Sequence, residues 1–179
     1  MAESFVNSVT RAVGVVTSSS AGSVGVQTNL ITGITTTNVT VGDLVENSNY
    51  IAGTKVSSIG VNSTTCDRDS TNTTAATSQS VKYLGLTTAY TSASGTKSII
   101  IGGTFANNTT SEVELTVHLY DNSASLTPAI ISKVPVPNGS SFVLSDTGKT
   151  VLEGLDAIRV YCDTANGVDV QLGILKGVS

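Results

Sequence analysis

Apolar and polar side chains alternate with a period of two along several stretches of the chain. The clearest are KSIIIGGTF (97–105), EVELTVHLY (112–120), AIRVYC (157–162) and GVDVQLGILK (167–176). This period is typical of a β-strand with one buried face, and helical periodicity is nearly absent. The pattern predicts inward faces formed by Ile99, Ile101 and Phe105; by Val113, Leu115, Val117 and Leu119; by Ile158, Val160 and Cys162; and by Val168, Val170, Leu172 and Ile174. The chain is therefore predicted to be all-β.

Residues that favour tight turns separate the apolar stretches. They are Asn107–Thr110, Pro137–Gly139, Asp146–Gly148 and Asn166–Gly167. Gly and Asn tolerate positive φ and Pro fixes φ, so these segments can join antiparallel strands. Short strands spaced by roughly 8 to 12 residues are typical of a sandwich or jelly roll. The predicted fold is an antiparallel β-sandwich or jelly-roll-like domain.

The stretch 27–80 differs from the rest of the chain. Its alternating pieces are shorter, glycines interrupt them, and CDRDSTNTTAATSQS (66–80) has no hydrophobic period and is predicted to be a loop. We therefore predict a main domain of residues 1–26 and 81–179, interrupted by a small β-rich insertion at 27–80. The alternative is one continuous sandwich with long loops.

The composition disfavours several classes of partner. Charged residues make up 12% of the chain, about half of the roughly 25% that is usual. The net charge is −4 and the nine Lys and Arg residues are scattered, so no basic patch predicts nucleic-acid binding. Trp is absent and aromatic residues are 4%, which disfavours a sugar-stacking surface. The surface is expected to consist mainly of Ser, Thr, Asn and Gly.

The N-terminal residues and the cysteines indicate folding in a reducing compartment. Glu3 and Arg11 do not fit a secretory signal, and no stretch approaches the ~20 apolar residues of a membrane-spanning helix. We expect folding in a cytoplasm, with no membrane partner. Cys66 and Cys162 are then expected to be thiols, although their spacing leaves open whether they meet.

No combination of residues predicts catalysis, a cofactor or a metal. His118 is the single histidine and has no nucleophile motif beside it. Asp67 and Asp69 begin like a calcium loop, but the turn Gly and the closing Glu are missing. Zinc would have to join His118 to distant cysteines. Glu153 and Asp156 are predicted to form a turn corner rather than a catalytic pair, and Gly102–Gly103 a bend or bulge.

Four segments resemble a family of small structural proteins of tailed bacteriophages, particularly those of marine and cyanobacterial hosts. They are SFVNSVTRAVGVVT (4–17), VPVPNGS (134–140), VLEGLD (151–156) and VDVQL (168–172). The resemblance covers the first strand and residues 81–179. It implies a non-enzymatic virion protein assembled in the host cytoplasm, most simply a capsid decoration or cement protein. Such a protein would bind the major capsid protein and copies of itself, with a trimer favoured.

The resemblance leaves the attachment site open. Interface candidates are an N-terminal arm with Phe5, Val6, Val9 and Arg11, and the exposed side of the insertion near Tyr50 and Lys55. Loss of residues 1–10 is expected to abolish attachment while the sandwich stays folded. The alternatives are a neck, tail or fibre component and, from another class, a glycan-binding module or envelope hydrolase.

Overall fold

The computed structural model describes residues 3–144 and 149–178, and its regular structure is entirely β-strand. The strands are β1 (Ser4–Val13), β2 (Val15–Val24), β3 (Leu30–Thr32), β4 (Leu44–Glu46), β5 (Val56–Gly60), β6 (Ser63–Cys66), β7 (Ala76–Gly85), β8 (Thr87–Thr91), β9 (Lys97–Asn107), β10 (Val113–Tyr120), β11 (Ala129–Val136), β12 (Ser141–Leu144), β13 (Thr150–Leu152), β14 (Ala157–Cys162) and β15 (Val168–Val178). The ladders between strands are antiparallel. The all-β, antiparallel prediction is confirmed, whereas the predicted turn Asp146–Gly148 lies outside the described residues.

The chain divides into two compact units. Unit 1 comprises Met1–Val13, Thr87–Cys162 and Asn166–Ser179, and unit 2 comprises Gly14–Leu86 with Asp163–Ala165. Unit 2 is wider than the insertion expected at 27–80 because β2 and β7 pair with each other, from Val15 with Gly85 to Val24 with Ala76. Both strands therefore belong to the inserted unit.

Unit 1 is a sandwich of two sheets. The sheet called here the β1 sheet has the order β1-β15-β9-β12, with β13 also pairing with β9. The β10 sheet has the order β11-β10-β14-β8. Both contribute to one core, in which Phe105 and Leu172 of the β1 sheet pack with Leu115 and Val160 of the β10 sheet. Each buried side chain of this kind contributes about 1.5–3 kcal/mol, so the core holds the two sheets together.

The predicted inward face of β9 is wrong in part. Ile100 is buried, whereas Ile99 is half-buried and Ile101 is exposed. The pairing of β9 with β15 shifts register after the Gly102–Gly173 pair, which leaves Ile101 as an extra residue in β9. A bulge of this kind reverses the alternation, so Ile100 and Phe105 both point into the core although they are an odd number of residues apart. The inward faces predicted for β14 and β15 are confirmed, as is that of β10, where Leu119 is half-buried.

Unit 2 is a single sheet in the order β4-β7-β2-β3-β6-β5. Hydrogen bonds from Val45 to Thr54 and from Val56 to Asp43 join its two ends, so the sheet closes on itself. Its core contains Tyr83, whose hydroxyl lies 2.7 Å from that of Thr64. Burial raises the pKa of Tyr83 to about 12.

The two cysteines lie in different cores. Cys66 packs in unit 2 and Cys162 in unit 1, and no disulfide forms between them. Burial raises the pKa of the Cys66 thiol to about 11. The prediction that both cysteines are thiols is confirmed. Among the described residues, no helix has the length and apolar character needed to cross a membrane.

Candidate interaction surface

The side chain of His118 is held against its own sheet. Its Nδ1 lies 3.0 Å from the carbonyl oxygen of Thr127, which can only accept, so Nδ1 donates. Nε2 is buried without a hydrogen-bond partner among the described residues, and the ring meets Tyr161 at 5.5 Å in an edge-on contact. A general base needs its free nitrogen within reach of the proton it removes. The geometry therefore fits a packing role for His118.

Asp67 of the apparent calcium loop binds the backbone instead. The loop predicted at 66–80 is confirmed only for residues 67–75, because Cys66 ends β6 and residues 76–80 begin β7. The carboxylate of Asp67 accepts the N–H of Lys55 at 2.8 Å. The backbone N–H of Asp67 donates to the carbonyl of Lys55. Within 3–144 and 149–178, no three His, Cys, Asp or Glu side chains are grouped as metal ligands. Asp67 thus fastens the loop to the start of β5.

Glu153 and Asp156 form the predicted turn corner. Asp156 is buried, and its two oxygens accept the N–H groups of Asn122 and Glu153, each at 2.9 Å. The carboxylate of Glu153 is exposed and lies 3.6 Å from the ammonium of Lys97. A carboxylate that accepts two backbone N–H groups stabilises a corner, so this pair serves the fold.

The outward face of the β1 sheet carries a row of apolar side chains across four strands. Phe5 pairs with Leu175, Leu175 with Ile99, and Ile99 with Val151. Neighbouring strands lie about 4.8 Å apart, so the row spans roughly 14 Å. Phe5 is 76% exposed and Val151 51%, while the two between them are half-buried. These four residues are called the apolar row.

A shallow depression lies beside the apolar row. Asn7, Gly173 and Gly102 occupy the next outward positions across three strands. The two glycines have no side chains and so lower the surface there. The depression holds about 440 Å³, and Phe5 and Ile101 line its apolar part. The exposed face thus combines an uncharged ridge with an adjacent hollow.

The outer edge of β1 is also unpaired. β1 ends its sheet, and no other described strand pairs with it besides β15. It is ten residues long and contains neither Pro nor Lys. Of the other terminal strands of unit 1, β8, β12 and β13 have only three to five residues, and β11 has eight. Long unprotected edges are templates for pairing with another chain, which makes β1 a second candidate contact.

The structure divides the predicted N-terminal candidates between two sides of β1. Phe5, Val9 and Arg11 are exposed, whereas Val6 is half-buried against the core. The segment is not a free arm, because Ser4 to Val13 pair with β15. The expectation that the sandwich stays folded without residues 1–10 therefore conflicts with this pairing.

The candidates in the insertion do not form an exposed patch. Tyr50 is only 6% exposed, so its placement on the surface was wrong. Its hydroxyl donates to the carbonyl of Thr28 at 2.9 Å, and burial raises its pKa strongly. Lys55 is half-buried. The apolar side chain of Tyr50 fills the core of unit 2 instead.

Sequence reasoning missed Leu175 and Val151, and it placed Ile99 on the inward face of β9. Leu175 follows the inward Ile174, and Val151 precedes the inward Leu152, so alternation alone places both outward. An apolar residue at a position that alternation places outward was the signal that could have identified them as surface candidates. Their assembly into one row depends on pairing between strands that are distant in sequence.

The outward face and free edge of the β1 sheet form the principal candidate for a functional site within the described residues. Comparison of the chain with models of known families, with curated proteins and with solved structures finds no match in any of the three. The resemblance to phage structural proteins therefore stays a prediction.

Proposed function

We propose that this chain is a structural protein of a bacteriophage virion, most simply a capsid decoration or cement protein that attaches through the outward face of its β1 sheet. The observation that carries the proposal is the apolar row, which lies on the outward face of the β1 sheet with Phe5 and Val151 exposed. An exposed apolar patch on a soluble domain commonly marks a protein-binding surface.

The chemistry of the row suits attachment to a protein lattice. Burying an exposed Phe or Val side chain contributes about 1.5–3 kcal/mol. Phe5 has most of its surface exposed, and Val151 has about half. The row contains no charged side chain, so its burial leaves no ion without a partner. If one copy of this protein bound each capsomer through the apolar row, the added contacts would stabilise the lattice.

The strand order of unit 1 supports the proposal through its fold. If β12 and β13 count as one interrupted strand, the sheets read β1-β15-β9-β12/β13 and β11-β10-β14-β8. The chain then crosses between the sheets at each connection except that between β10 and β11. This order is like that of an eight-stranded jelly roll, a fold that is frequent in viral capsid domains. Lectins and cupins also use it, so the fold raises the expectation without deciding the function.

The glycan-binding alternative is weakened by the outward face of the β10 sheet. Its aromatic residues already have partners: the guanidinium of Arg159 lies 3.7 Å from the centre of the Tyr120 ring, and Tyr161 packs against His118. A sugar ring needs an open aromatic face. The neck, tail or fibre alternative would use the same β1 sheet and differs in copy number.

Quantitative mass spectrometry of purified virions tests the proposal. We expect this chain at an abundance near that of the major capsid protein. A few copies per particle would favour the neck or tail, and complete absence would contradict a virion role.

A binding assay tests the surface itself. Capsids that lack the protein are mixed with the wild-type chain, with Val151→Lys, or with the control Val41→Lys, which alters an exposed valine of unit 2. We expect Val151→Lys to lose at least about tenfold in affinity, because it buries a charge in the apolar row. Equal binding by all three proteins would contradict attachment through the row.

A further inference from the structure

The outward side chains of β1 form a palindromic pattern. Together with the residue before the strand, they read Glu3, Phe5, Asn7, Val9 and Arg11. The order is acidic, apolar, polar, apolar, basic, so the pattern keeps its apolar positions and exchanges its charges when the direction is reversed.

The regular part of β1 has the same centre. Ser4 to Thr10 pair with β15 without interruption, and the register shifts only between Thr10 and Val13. Asn7 is the midpoint of Ser4–Thr10. Two copies of this segment that lie antiparallel about Asn7 are therefore regular over their whole common length.

We propose that two copies of this chain pair through the outer edges of β1, antiparallel and two-fold symmetric about Asn7. Phe5 of one copy then faces the second copy's Val9. Glu3 and the second copy's Arg11 lie just beyond the two ends of the regular segment, where their opposite charges attract each other. Each copy makes both contacts, as an isologous interface requires. Directly opposed apolar pairs and opposite charges stabilise antiparallel strands.

Arg11 lies on the outward face of the β1 sheet, where a second copy can reach it. Its side chain is 84% exposed and lies 3.6 Å from Asp169 on β15. The inner side of β1 is occupied differently, because Ser8 and Thr10 donate to the carbonyl of Ala89 in the β10 sheet. The outer edge and outer face are the sides left for a second copy.

The pairing would double the β1 sheet. It would put two apolar rows on one continuous face, which suits the proposed lattice attachment. The inference does not depend on a virion role, because it rests on the edge and charges of β1 alone.

Cysteine cross-linking tests the register. In the proposed dimer, Asn7 faces itself with Cβ atoms about 4.5–5.5 Å apart, so Asn7→Cys should yield a covalent dimer with a short thiol-bridging reagent. Phe5→Cys is the matched control: it is on the same face and exposed, but its two copies lie about 14 Å apart, four residues along the strand. The native cysteines are buried. Equal cross-linking of both variants, or of neither, would overturn the proposed register.

Exchange of the charges tests the partner contacts. Sedimentation of the full chain should show a dimer, and Glu3→Lys or Arg11→Glu alone should weaken it by about tenfold, because each places like charges opposite one another twice. The double variant should recover most of the affinity. Arg11→Glu also removes the ion pair with Asp169, which could destabilise the fold. Melting curves of each variant at a concentration too low for dimers therefore distinguish a folding defect from the loss of pairing.

The remaining outcomes are decisive as well. A monomer at every concentration, a trimer, or a dimer that survives both single charge reversals would each overturn the inference. Val151→Lys should leave the dimer intact, so loss of capsid attachment and loss of pairing are separate results.

Discussion

β1 and β11 are the long edge strands of unit 1, and they end their sheets in different ways. β11 contains Lys133 and Pro135, and its pairing with β10 shifts register twice. Lys133 has a φ of 53°, and its N–H donates to the hydroxyl of Thr116 rather than extending a regular ladder. Lysine, proline and bulges are the features that keep a sheet edge from pairing with other chains. β1 has none of them before Thr10.

The difference suggests that the two edges have different tasks. A sheet edge that only borders solvent benefits from features that prevent association. β11 has such features along its length, whereas in β1 the register shift and Arg11 come only after Thr10. The absence of protection in β1 is therefore best explained by an interaction, and the following changes test this comparison.

Deletion of residues 1–10 should have the largest effect. It removes the paired part of β1 and the side chains of Val6, Ser8 and Thr10 that face the sandwich. We expect the free energy of unfolding to fall by more than about 3 kcal/mol, from lost burial and hydrogen bonds. Urea unfolding measures it, with a chain lacking residues 1–2 as control. Equal stability of the two chains would mean that β1 is a dispensable arm.

Removal of the protection from β11 should create a second associating edge. The double variant Lys133→Asn/Pro135→Thr removes the charge and adds a backbone donor at position 135, and Asn tolerates the positive φ of position 133. We expect association of the chain to strengthen by about tenfold or more, measured by sedimentation against the wild type. The pair Lys149→Asn/Pro137→Thr, which lies outside β11, is the control. Unchanged association would show that Lys133 and Pro135 do not protect the edge.

Each single hydrogen bond that holds an edge strand to the sandwich should contribute less to the free energy of unfolding than the whole of β1 does. Ser8 donates to the carbonyl of Ala89 at 2.8 Å, and Thr116 accepts from Lys133 at 3.0 Å. We expect Ser8→Ala and Thr116→Val each to lower the free energy of unfolding by about 0.5–1.5 kcal/mol. Ser58→Ala, which removes an exposed hydroxyl on β5 of unit 2, is the control. A stability loss from only one of the two would show that the edges are fastened unequally.

The connection between β10 and β11 should give the smallest effect, and it should depend on pH. The N–H of Ala124 and the hydroxyl of Ser123 donate to Asp121 and lower the pKa of its carboxyl from the ordinary value of 3.8. Because the folded pKa is the lower one, the contribution of Asp121 is fully present above 3.8 and is lost as the pH falls through the folded value.

Comparison of Asp121→Asn with wild type by thermal unfolding checks this. The difference in melting temperature should be greatest near neutral pH and should shrink in acid. Glu112→Gln, an exposed carboxylate just before β10, is the control. A difference that stays constant down to acid pH would show that the charge of Asp121 is not what stabilises the turn.

Prediction from sequence succeeded where one strand carries its own signal. The alternation of Val168, Val170 and Leu172 decides which face of β15 is buried, whatever strand lies beside it. Prediction failed at Ile101, because a bulge is defined by two strands and β9 alone does not reveal it. It also failed for Tyr50, whose burial depends on the distant carbonyl of Thr28 and on the core of unit 2.

The sequence by itself determined that this protein is built from antiparallel strands, that it is poor in charge and which side chains fill much of the core of unit 1. These properties follow from local alternation, turn residues and composition. Only the tertiary structure decided that Phe5 to Arg11 form the edge of a sheet and that Phe5, Leu175, Ile99 and Val151 share one row. Both depend on pairing between residues up to about 170 positions apart, and such pairing is set by the fit of whole strands rather than by any local pattern.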